Sequence, residues 1–394
     1  MLREAVARHQ AGDLEGAAAR YERLLAARPD DANALNLLGL VFRQRGDLMR
    51  ALALIRRAVA LQPTAPVFLA ALGGTLAEAG QLAAAAEALR AALARRPRDP
   101  TSLRNLGQAL CGLGQAQEAL APLRQAVALA PDAGEAHLAL AHACREVGQR
   151  EAAVAAARAA LALPALAPGL AEQARFLLAA LGEGLAPERA PAGYVRELFD
   201  QYAPRFEREL GGQLAYRTPA ALAELLTEVG LAADGSRHVL DLGCGTGLSG
   251  RALAPFAHVL DGVDLSPRML AEAARQGCYT ALHEADLLDF LPRHPGRYDL
   301  IAAADVLNYL GALRPALAGM AAALVPGGAL VFSVESGSGG AYALGPGLRY
   351  RHDLPALRKL VAALGLRILA ERGLVLRQER GQPVAGAAFV LGGA

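Results

Sequence analysis

The chain has 394 residues, of which 54% are hydrophobic, and its formal net charge is only +2. This length is enough for two or three domains with buried cores. A charge so close to zero gives no reason to expect nucleic acid or an acidic membrane surface as a partner, so neither is predicted. No apolar run is long enough to span a bilayer, because Arg, Glu, Gly and Pro interrupt the Ala-rich stretches.

The four cysteines occur singly along the chain. None forms a CxxC pair and no histidine cluster lies at zinc-binding spacing, so no metal site is predicted. Residues 1–4 include charged side chains and lack the apolar core of a secretory signal. Together with free thiols, this start predicts a cytoplasmic protein.

A repeat of 34 residues runs through the first part of the chain. Five glycines and four prolines keep this spacing, namely Gly12, Gly46, Gly80, Gly114 and Gly148, and Pro29, Pro63, Pro97 and Pro131. Within the unit 32–65, Leu35 and Phe42 share one helical face, and Ala51 and Ile55 share the face of a second helix. This helix–turn–helix unit resembles the tetratricopeptide family.

The resemblance covers about residues 1–166 and implies an α-solenoid, which residues 169–182 would close as a final helix. We therefore predict a repeat domain over residues 1–182 and a linker at 183–193, where proline and glycine interrupt every apolar period. Solenoids present concave surfaces, so a protein or peptide partner in this groove is implied. A helical bundle that only stabilises its neighbour is the alternative.

From residue 194 to 394 the pattern changes to short apolar strands that alternate with helices, which predicts a doubly wound parallel sheet. The first predicted strand, residues 238–242, runs into the segment DLGCGTG at residues 241–247. Glycines in such a loop let the backbone approach a ligand closely, and the helix that follows offers free N–H groups.

The glycine loop has two interpretations. Residues 245–250 spell GxGxxG, and Asp264 follows at the distance of a ribose-binding acid, as in nicotinamide dinucleotide enzymes. Residues 241–247 also spell DxGxGxG. That form suits a ligand without a pyrophosphate, because the carboxylate of Asp241 can help to hold a cationic amino-acid end.

The segments downstream decide between the two. A second strand ends at Asp264, the segment EAD occupies residues 284–286, a fourth strand leads into DVLNY at 305–309, and a fifth strand follows PGG at 326–328. This ordered set resembles the class I S-adenosylmethionine-dependent methyltransferases over nearly all of residues 194–394. The resemblance implies a Rossmann-like, seven-stranded sheet with S-adenosylmethionine as cofactor, and it favours a methyltransferase over the nicotinamide enzyme.

The resemblance also implies roles for individual residues. Those assigned to the cofactor are Asp241, Gly243, Gly245, Gly247, Asp264, Leu265, Asp286, Leu287, Asp305 and Tyr202. The glycines would form the floor under the methionine part, Asp264 would bind the ribose hydroxyls, and Asp286 with Leu287 would face the adenine. Asp305 would lie near the sulfonium, where the acceptor enters. Asp286 and Asp305 could instead be helix N-caps or turn acids.

Residues 198–207 and 214–219 resemble an aromatic cover over the cofactor, with Tyr202 and Arg217 as candidate lid residues. A general base is needed only if the acceptor must lose a proton, and Asp305, Tyr309 and His352 are the candidates. The glycine-rich segment 337–347 is predicted as a loop on the substrate side.

Two hypotheses for the acceptor remain open. The enzyme would methylate a protein or peptide held by the repeats, or it would methylate a small molecule while the repeats serve assembly only. Neither the acceptor atom nor the partner follows from the residues.

Overall fold

The structure is a computed structural model, which describes residues 2–203, 206, 216–379 and 381–393. The chain divides into two compact units, Met1–Ala174 and Arg175–Ala394. Within the described ranges, no helix combines the length and apolar character needed to cross a membrane.

The first unit is a succession of helices joined by short turns. Its helices are α1 Leu2–Gln10, α2 Leu14–Ala27, α3 Ala32–Gln44, α4 Leu48–Leu61, α5 Pro66–Glu78, α6 Leu82–Arg95, α7 Pro100–Gly112, α8 Ala116–Leu129, α9 Gly134–Glu146 and α10 Arg150–Leu161, followed by α11 Pro168–Ala180, which runs into the second unit. The glycine between the two helices of each pair has a φ between 72° and 81°. This left-handed conformation favours glycine and explains the 34-residue period.

The turn repeats once more than the sequence analysis recognised. Gly182 stands 34 residues after Gly148 and has the same left-handed backbone, with φ at 81°. Glu183 N donates to Leu178 O at 2.9 Å, just as Gln149 N donates to Cys144 O at 2.8 Å. The closing helix α11 and its turn therefore repeat the first half of a unit.

Close packing within each helix pair depends on one small residue. A Cβ added to Gly39 would lie 2.5 Å from Ile55, and one added to Gly73 would lie 2.5 Å from Leu89. The fifth repeat places buried alanines at the equivalent positions, 141 and 157. A small residue opposite a large one is thus replaced there by two of intermediate size, which keeps the volume similar.

The described part of the second unit has nine strands in a single sheet. The strands are β1 Arg237–Leu242, β2 Ala257–Asp264, β3 Ala281–Glu284, β4 Tyr298–Ala303, β5 Leu324–Ser336, β6 Tyr342–Leu344, β7 Tyr350–His352, β8 Leu366–Glu379 and β9 Gln382–Gly393. β3, β2, β1, β4 and β5 are parallel in that order. β9 pairs antiparallel with β5, and β8 pairs with β9. Because the order reverses between β1 and β4, a ligand site is expected at their carboxyl ends.

Helices cover both faces of this sheet. They are α12 Ala192–Tyr202, α13 Thr218–Glu228, α14 Leu248–Leu253, α15 Pro267–Gln276, α16 Leu287–Phe290, α17 Arg314–Ala323 and α18 Leu354–Ala363. Neighbouring strand residues point to opposite faces. Val239 and Leu300 accordingly belong to one apolar cluster, and Leu240 and Ile301 belong to the other. The predicted repeat α-solenoid and Rossmann-like doubly wound sheet are confirmed.

Two short strands extend the expected seven-stranded arrangement. The last two residues of β5 pair in parallel with β7, and β7 pairs antiparallel with β6. The prediction of a loop over residues 337–347 was therefore wrong for β6, whose three residues lie within that segment. Glycine composition indicated a loop, but pairing with a partner strand created the short strand.

Residues 187–190, at the end of the predicted linker, lie against the chain that follows β4. Gly311 N and Ala312 N both donate to Glu188 O, at 2.7 and 2.8 Å. Ala190 N donates to Tyr309 O at 2.8 Å. This segment is therefore a bound strap on the second unit, and we call residues 187–190 the strap.

Candidate active site

The loop after β1 brings bare backbone to the switch point of the sheet. Gly243, Gly245 and Gly247 have φ values of 67°, 53° and 93°. A Cβ on Gly243 would lie 2.5 Å from Val306, in the segment after β4, so the close approach of the two segments also requires glycine. All three positions were predicted from the sequence, and the structure places them together in this one loop.

Asp241, in β1 just before the loop, is completely buried. Its Oδ2 accepts hydrogen bonds from Ser249 Oγ at 2.6 Å and from the Tyr279 hydroxyl at 2.7 Å. Its Oδ1 is buried without a partner among the residues that the structure describes. Burial raises the pKa of Asp241 to about 6, although both hydroxyl groups favour the charged form. A buried oxygen of this kind can accept a hydrogen bond from a cationic ligand.

Asp264 ends β2 beside the glycine loop. Its Oδ2 accepts from Gly245 N at 2.9 Å, and its Oδ1 accepts from Ser266 N at 2.8 Å. Burial raises the pKa of Asp264 to about 6, with the Ser266 and Gly245 N–H groups opposing the rise. The next residue, Leu265, has a carbonyl oxygen that accepts from Arg196 Nε at 3.1 Å. Asp264 thus connects the second strand to the loop directly.

Asp286 lies at the end of the neighbouring strand β3 and caps α16. Its Oδ1 accepts from Leu288 N at 2.9 Å, and its carboxylate forms an ion pair with Arg189 of the strap. Leu287 is partly buried against the main core of the sheet. Asp286 is therefore an N-cap in this structure, which was the alternative interpretation, and its contact with adenine stays a prediction.

Asp305 follows β4 in a left-handed conformation with φ at 57°. Its Oδ1 accepts from Ser333 Oγ at 2.7 Å, and its N–H donates to the same hydroxyl oxygen at 2.9 Å. The hydroxyl groups of Tyr216 and Thr218 also lie within hydrogen-bonding reach of the carboxylate. Burial raises the pKa of Asp305 above its usual range, although Ser333 and the guanidinium of Arg377 oppose the rise.

The two other base candidates have different surroundings. Tyr309 lies in a short 3-10 turn after β4, and its ring packs edge-on against Phe199 at 5.4 Å. His352, in β7, is only 2% exposed, and its Nε2 lies 2.9 Å from Leu310 O. Burial lowers the pKa of His352, so its neutral form is favoured. The role of either residue as a base stays a prediction.

Aromatic side chains from the N-terminal cover reach the glycine loop. The Phe206 ring lies 3.9 Å from the position that a Cβ on Gly245 would take. Phe206 packs at 6.2 Å from Phe199, which in turn contacts Tyr309. Tyr202, the predicted lid residue, ends α12 and is half-buried. The sequence analysis missed Phe199 and Phe206, although both lie in the aromatic segment it identified.

The rest of the predicted cover is only partly described. Arg217 is exposed and precedes α13. Residues 204, 205 and 207–215 of the two predicted cover segments lie outside the described residues. The lid role of Arg217 therefore stays a prediction.

A buried charge cluster, which the sequence did not indicate, occupies the carboxyl end of β5. Glu335 is 3% exposed and contacts three arginines: Arg349 at 3.0 Å, Arg351 at 3.9 Å and the 8% exposed Arg377. Glu379 also binds both Arg349 and Arg377. These residues come from β5, the β6–β7 segment and β8, and only the sheet brings them together.

The acids after three neighbouring strands therefore meet at one edge of the sheet, around the glycine loop. This arrangement fits S-adenosylmethionine: Asp241 has a free buried oxygen for an ammonium group, and the loop leaves no room for side chains at Gly243. Within the described residues, no group of acidic, histidine or cysteine side chains is arranged to hold a metal ion.

Comparison with known proteins identifies both parts of the chain. Residues 240–330 match the family model for a methyltransferase domain, and residues 2–66 and 71–134 match the one for the tetratricopeptide repeat. The chain is 42% identical to trans-aconitate 2-methyltransferase of Methylobacterium nodulans over 111 residues, which are 27% of this chain and 41% of that protein. It is 32% identical to the ubiquinone biosynthesis O-methyltransferase of Coxiella burnetii over 100 residues, which are 25% of this chain and 43% of that protein.

Among solved structures, magnesium protoporphyrin IX methyltransferase from Synechocystis PCC 6803 aligns with a TM-score of 0.40 and 21% identity, over 52% of this chain and 99% of that one. The chain spans about two fifths of the length of the curated relatives named above. From the two family matches and the sheet order, the chain combines tetratricopeptide repeats with an S-adenosylmethionine-dependent methyltransferase domain.

Proposed function

We propose that the chain transfers the methyl group of S-adenosylmethionine to an acceptor at the carboxyl edge of the sheet. The observation that carries this proposal is the joint placement of Asp264 and Gly245, next to the free buried oxygen of Asp241. Bound S-adenosylmethionine would supply a methyl group already activated on a sulfonium. The protein then mainly aligns the acceptor, and alignment of this kind lowers barriers by roughly 7–11 kcal/mol.

In this proposal the glycine loop supports the methionine part of the cofactor. Gly243, Gly245 and Gly247 form the floor, and the free oxygen of Asp241 accepts from the ammonium group. Asp264 accepts from the ribose hydroxyls with its remaining lone pairs. Such charge-assisted hydrogen bonds contribute about 1.5–3 kcal/mol each.

The adenine is proposed to lie beyond β2 and β3. Leu265 and Leu287 would contact its faces, and Asp286 would accept from its amino group. The ion pair between Asp286 and Arg189 means that the strap must share this carboxylate with the adenine or release it. Tyr202 would close over the site with Phe206.

At the acceptor side, Asp305 is proposed to lie beside the sulfonium. Tyr309 and His352 are proposed as alternative general bases, for an acceptor that must lose a proton. A His352→Gln variant that keeps the turnover of the unchanged protein at every pH would eliminate His352 from this role.

Ligand titration by calorimetry tests the cofactor assignment. The full-length protein should bind S-adenosylmethionine, and Asp264→Ala should weaken that binding at least about tenfold, because a charge-assisted hydrogen bond is lost. Asp234→Ala is the matched control, since Asp234 lies in an exposed turn before β1. Binding of a nicotinamide dinucleotide in place of S-adenosylmethionine would instead support the dinucleotide interpretation of the loop.

We further propose that the acceptor is a protein or peptide docked on the repeats. In support, the first unit contains a cavity of about 230 Å³ near the start of α5 and α7, lined in part by Val67, Ala70 and Thr101. Val67 is 49% exposed there. The alternative is a small-molecule acceptor, which the names of two relatives favour: one acts on trans-aconitate and the other in ubiquinone biosynthesis.

Incubation of a cell extract with radiolabelled S-adenosylmethionine and the full-length protein separates these two acceptors. Label in protein that falls with Val67→Glu would support docking on the repeats, because the new charge enters the cavity. Leu185→Glu is the control, since Leu185 is a 97% exposed apolar residue outside the cavity. Label confined to small molecules, at equal rates for both variants, would favour the alternative.

A further inference from the structure

Asp305 adopts a backbone conformation that needs support from its neighbours. Its φ of 57° lies in the left-handed region, where the described chain has only one other non-glycine residue, Leu348. Residues in this region are strained, and such strain occurs frequently at functional sites. The groups that hold Asp305 therefore deserve a role of their own.

Two buried polar side chains supply this support. Ser333 Oγ accepts from Asp305 N at 2.9 Å and donates to Asp305 Oδ1 at 2.7 Å. Asn308 Nδ2 donates to the same Oδ1 at 3.4 Å, while Asn308 Oδ1 accepts from Glu335 N at 2.8 Å. Both side chains are fully buried. They tie the chain that leaves β4 to the end of β5.

We propose that Ser333 and Asn308 are positioning residues, which hold the Asp305 carboxylate toward the sulfonium. This inference rests on the proposed function, because it requires a bound S-adenosylmethionine. A carboxylate fixed near the cationic sulfur stabilises S-adenosylmethionine but not the neutral product S-adenosylhomocysteine. The preference between these two ligands therefore reports the position and charge of Asp305, whatever the acceptor is.

The charge of Asp305 depends on the groups around it. The hydroxyl of Tyr216 and that of Thr218 approach from the start of α13, and the guanidinium of Arg377 approaches from β8. Burial raises the pKa of Asp305, and the Ser333 hydroxyl opposes that rise by donating to the charged form. Loss of this hydroxyl should raise the pKa further, so that the charge disappears at a higher pH.

Calorimetry on the full-length protein, with S-adenosylmethionine and S-adenosylhomocysteine between about pH 5.5 and 8, tests the inference. Asp305→Asn should reduce the preference for S-adenosylmethionine at least about tenfold, because the charge is lost while the side-chain shape is kept. Ser333→Ala should reduce it several-fold and move its pH dependence upward. Ser336→Ala, in the same strand, is the control and should match the unchanged protein.

A second variant covers the case in which Ser333→Ala does not fold. Asn308→Asp keeps an acceptor for Glu335 N but places a negative oxygen beside Asp305 Oδ1. Like-charge repulsion should again move the pH dependence upward. Circular dichroism establishes that each variant is folded.

The outcomes separate the inference from the proposed function. If Ser333→Ala and Asn308→Asp both behave as Ser336→Ala does, or if Asp305→Asn keeps the full preference, the positioning inference is overturned while the proposed function stands. If the unchanged protein binds neither ligand, the proposed function itself fails.

Discussion

Asp241 shows how burial and hydrogen bonding act in opposite directions on a single carboxylate. Burial disfavours its charged form, whereas hydrogen bonds from Ser249 and Tyr279 favour it. The Tyr279 ring packs against Gly250 and Gly262, where any Cβ would collide with it. The glycines near the loop therefore serve two purposes: some bring backbone to the ligand, and others make room for the aromatic side chain that bonds Asp241.

Removal of the Tyr279 hydroxyl should shift the pH range in which the cofactor binds. In the proposed function the ionised Asp241 carboxylate accepts from the ligand ammonium, so binding should weaken as pH falls through about 6. Tyr279→Phe removes a hydrogen bond to the charged form, which raises the pKa of Asp241 and should move this limit to a higher pH. Calorimetry as a function of pH measures it.

Tyr298→Phe is the matched control for this shift. Tyr298 is also a buried tyrosine that bonds an aspartate, but its partner is Asp261, and it opens β4 at the opposite edge of the sheet from the glycine loop. If Tyr279→Phe and Tyr298→Phe give the same pH limit, Asp241 does not bind the ammonium group.

At the scale of elements, the helix pairs of the repeats depend on complementary residue sizes. Gly73 faces Leu89, whereas Ala141 and Ala157 occupy the same two positions in the fifth repeat. The glycines at these positions were visible in the sequence as part of the period. Their reason is steric, because the second helix of the pair approaches the first at that point.

Gly73→Ala should destabilise the protein by about 1–3 kcal/mol, because the new Cβ would lie 2.5 Å from Leu89 Cγ. The double variant Gly73→Ala/Leu89→Ala copies the fifth repeat and should be more stable than the sum of the two single changes, by on the order of 1 kcal/mol. Urea unfolding measures all three free energies.

Gly169→Ala serves as the control for helix propensity. A Cβ on Gly169 of α11 would meet no atom within 4 Å, so this change should leave the stability equal or raise it by up to about 1 kcal/mol. Strict additivity of the two single changes at 73 and 89 would contradict the size-matching explanation.

At the scale of the whole molecule, the residues proposed to bind the cofactor all belong to Arg175–Ala394, whereas the proposed docking cavity belongs to Met1–Ala174. The two proposed ligands should therefore leave separate marks on the backbone. Amide hydrogens exchange more slowly where a ligand stabilises the local structure.

Hydrogen exchange followed by mass spectrometry should locate each ligand. S-adenosylmethionine should protect amides in and next to the glycine loop, above all those of Gly245 and Ser266, which donate to Asp264. A docked peptide should instead protect α5 and α7. The nicotinamide dinucleotide is the control ligand, and protection by S-adenosylmethionine that is centred on the repeats would contradict the assignment.

The sequence by itself determined the repeat period, the sheet class and the order of the acids after β1, β2 and β4. These features are local: a left-handed turn needs glycine every 34 residues, and a parallel strand places its final residue at the ligand edge. Strand ends shifted by a few residues, as with β5, which begins at Leu324 before the predicted start.

Tertiary structure alone decided which side chains support those acids. Tyr279 reaches Asp241 across 38 residues, Arg189 reaches Asp286 across 97, and Ser333 reaches Asp305 across 28. No periodicity or motif marks such partners, because each pair is joined only when separate strands and the strap meet at one edge of the sheet. The buried charge cluster around Glu335 has the same origin: a lone acid in an apolar strand acquires its arginines from β7, β8 and the segment before β7.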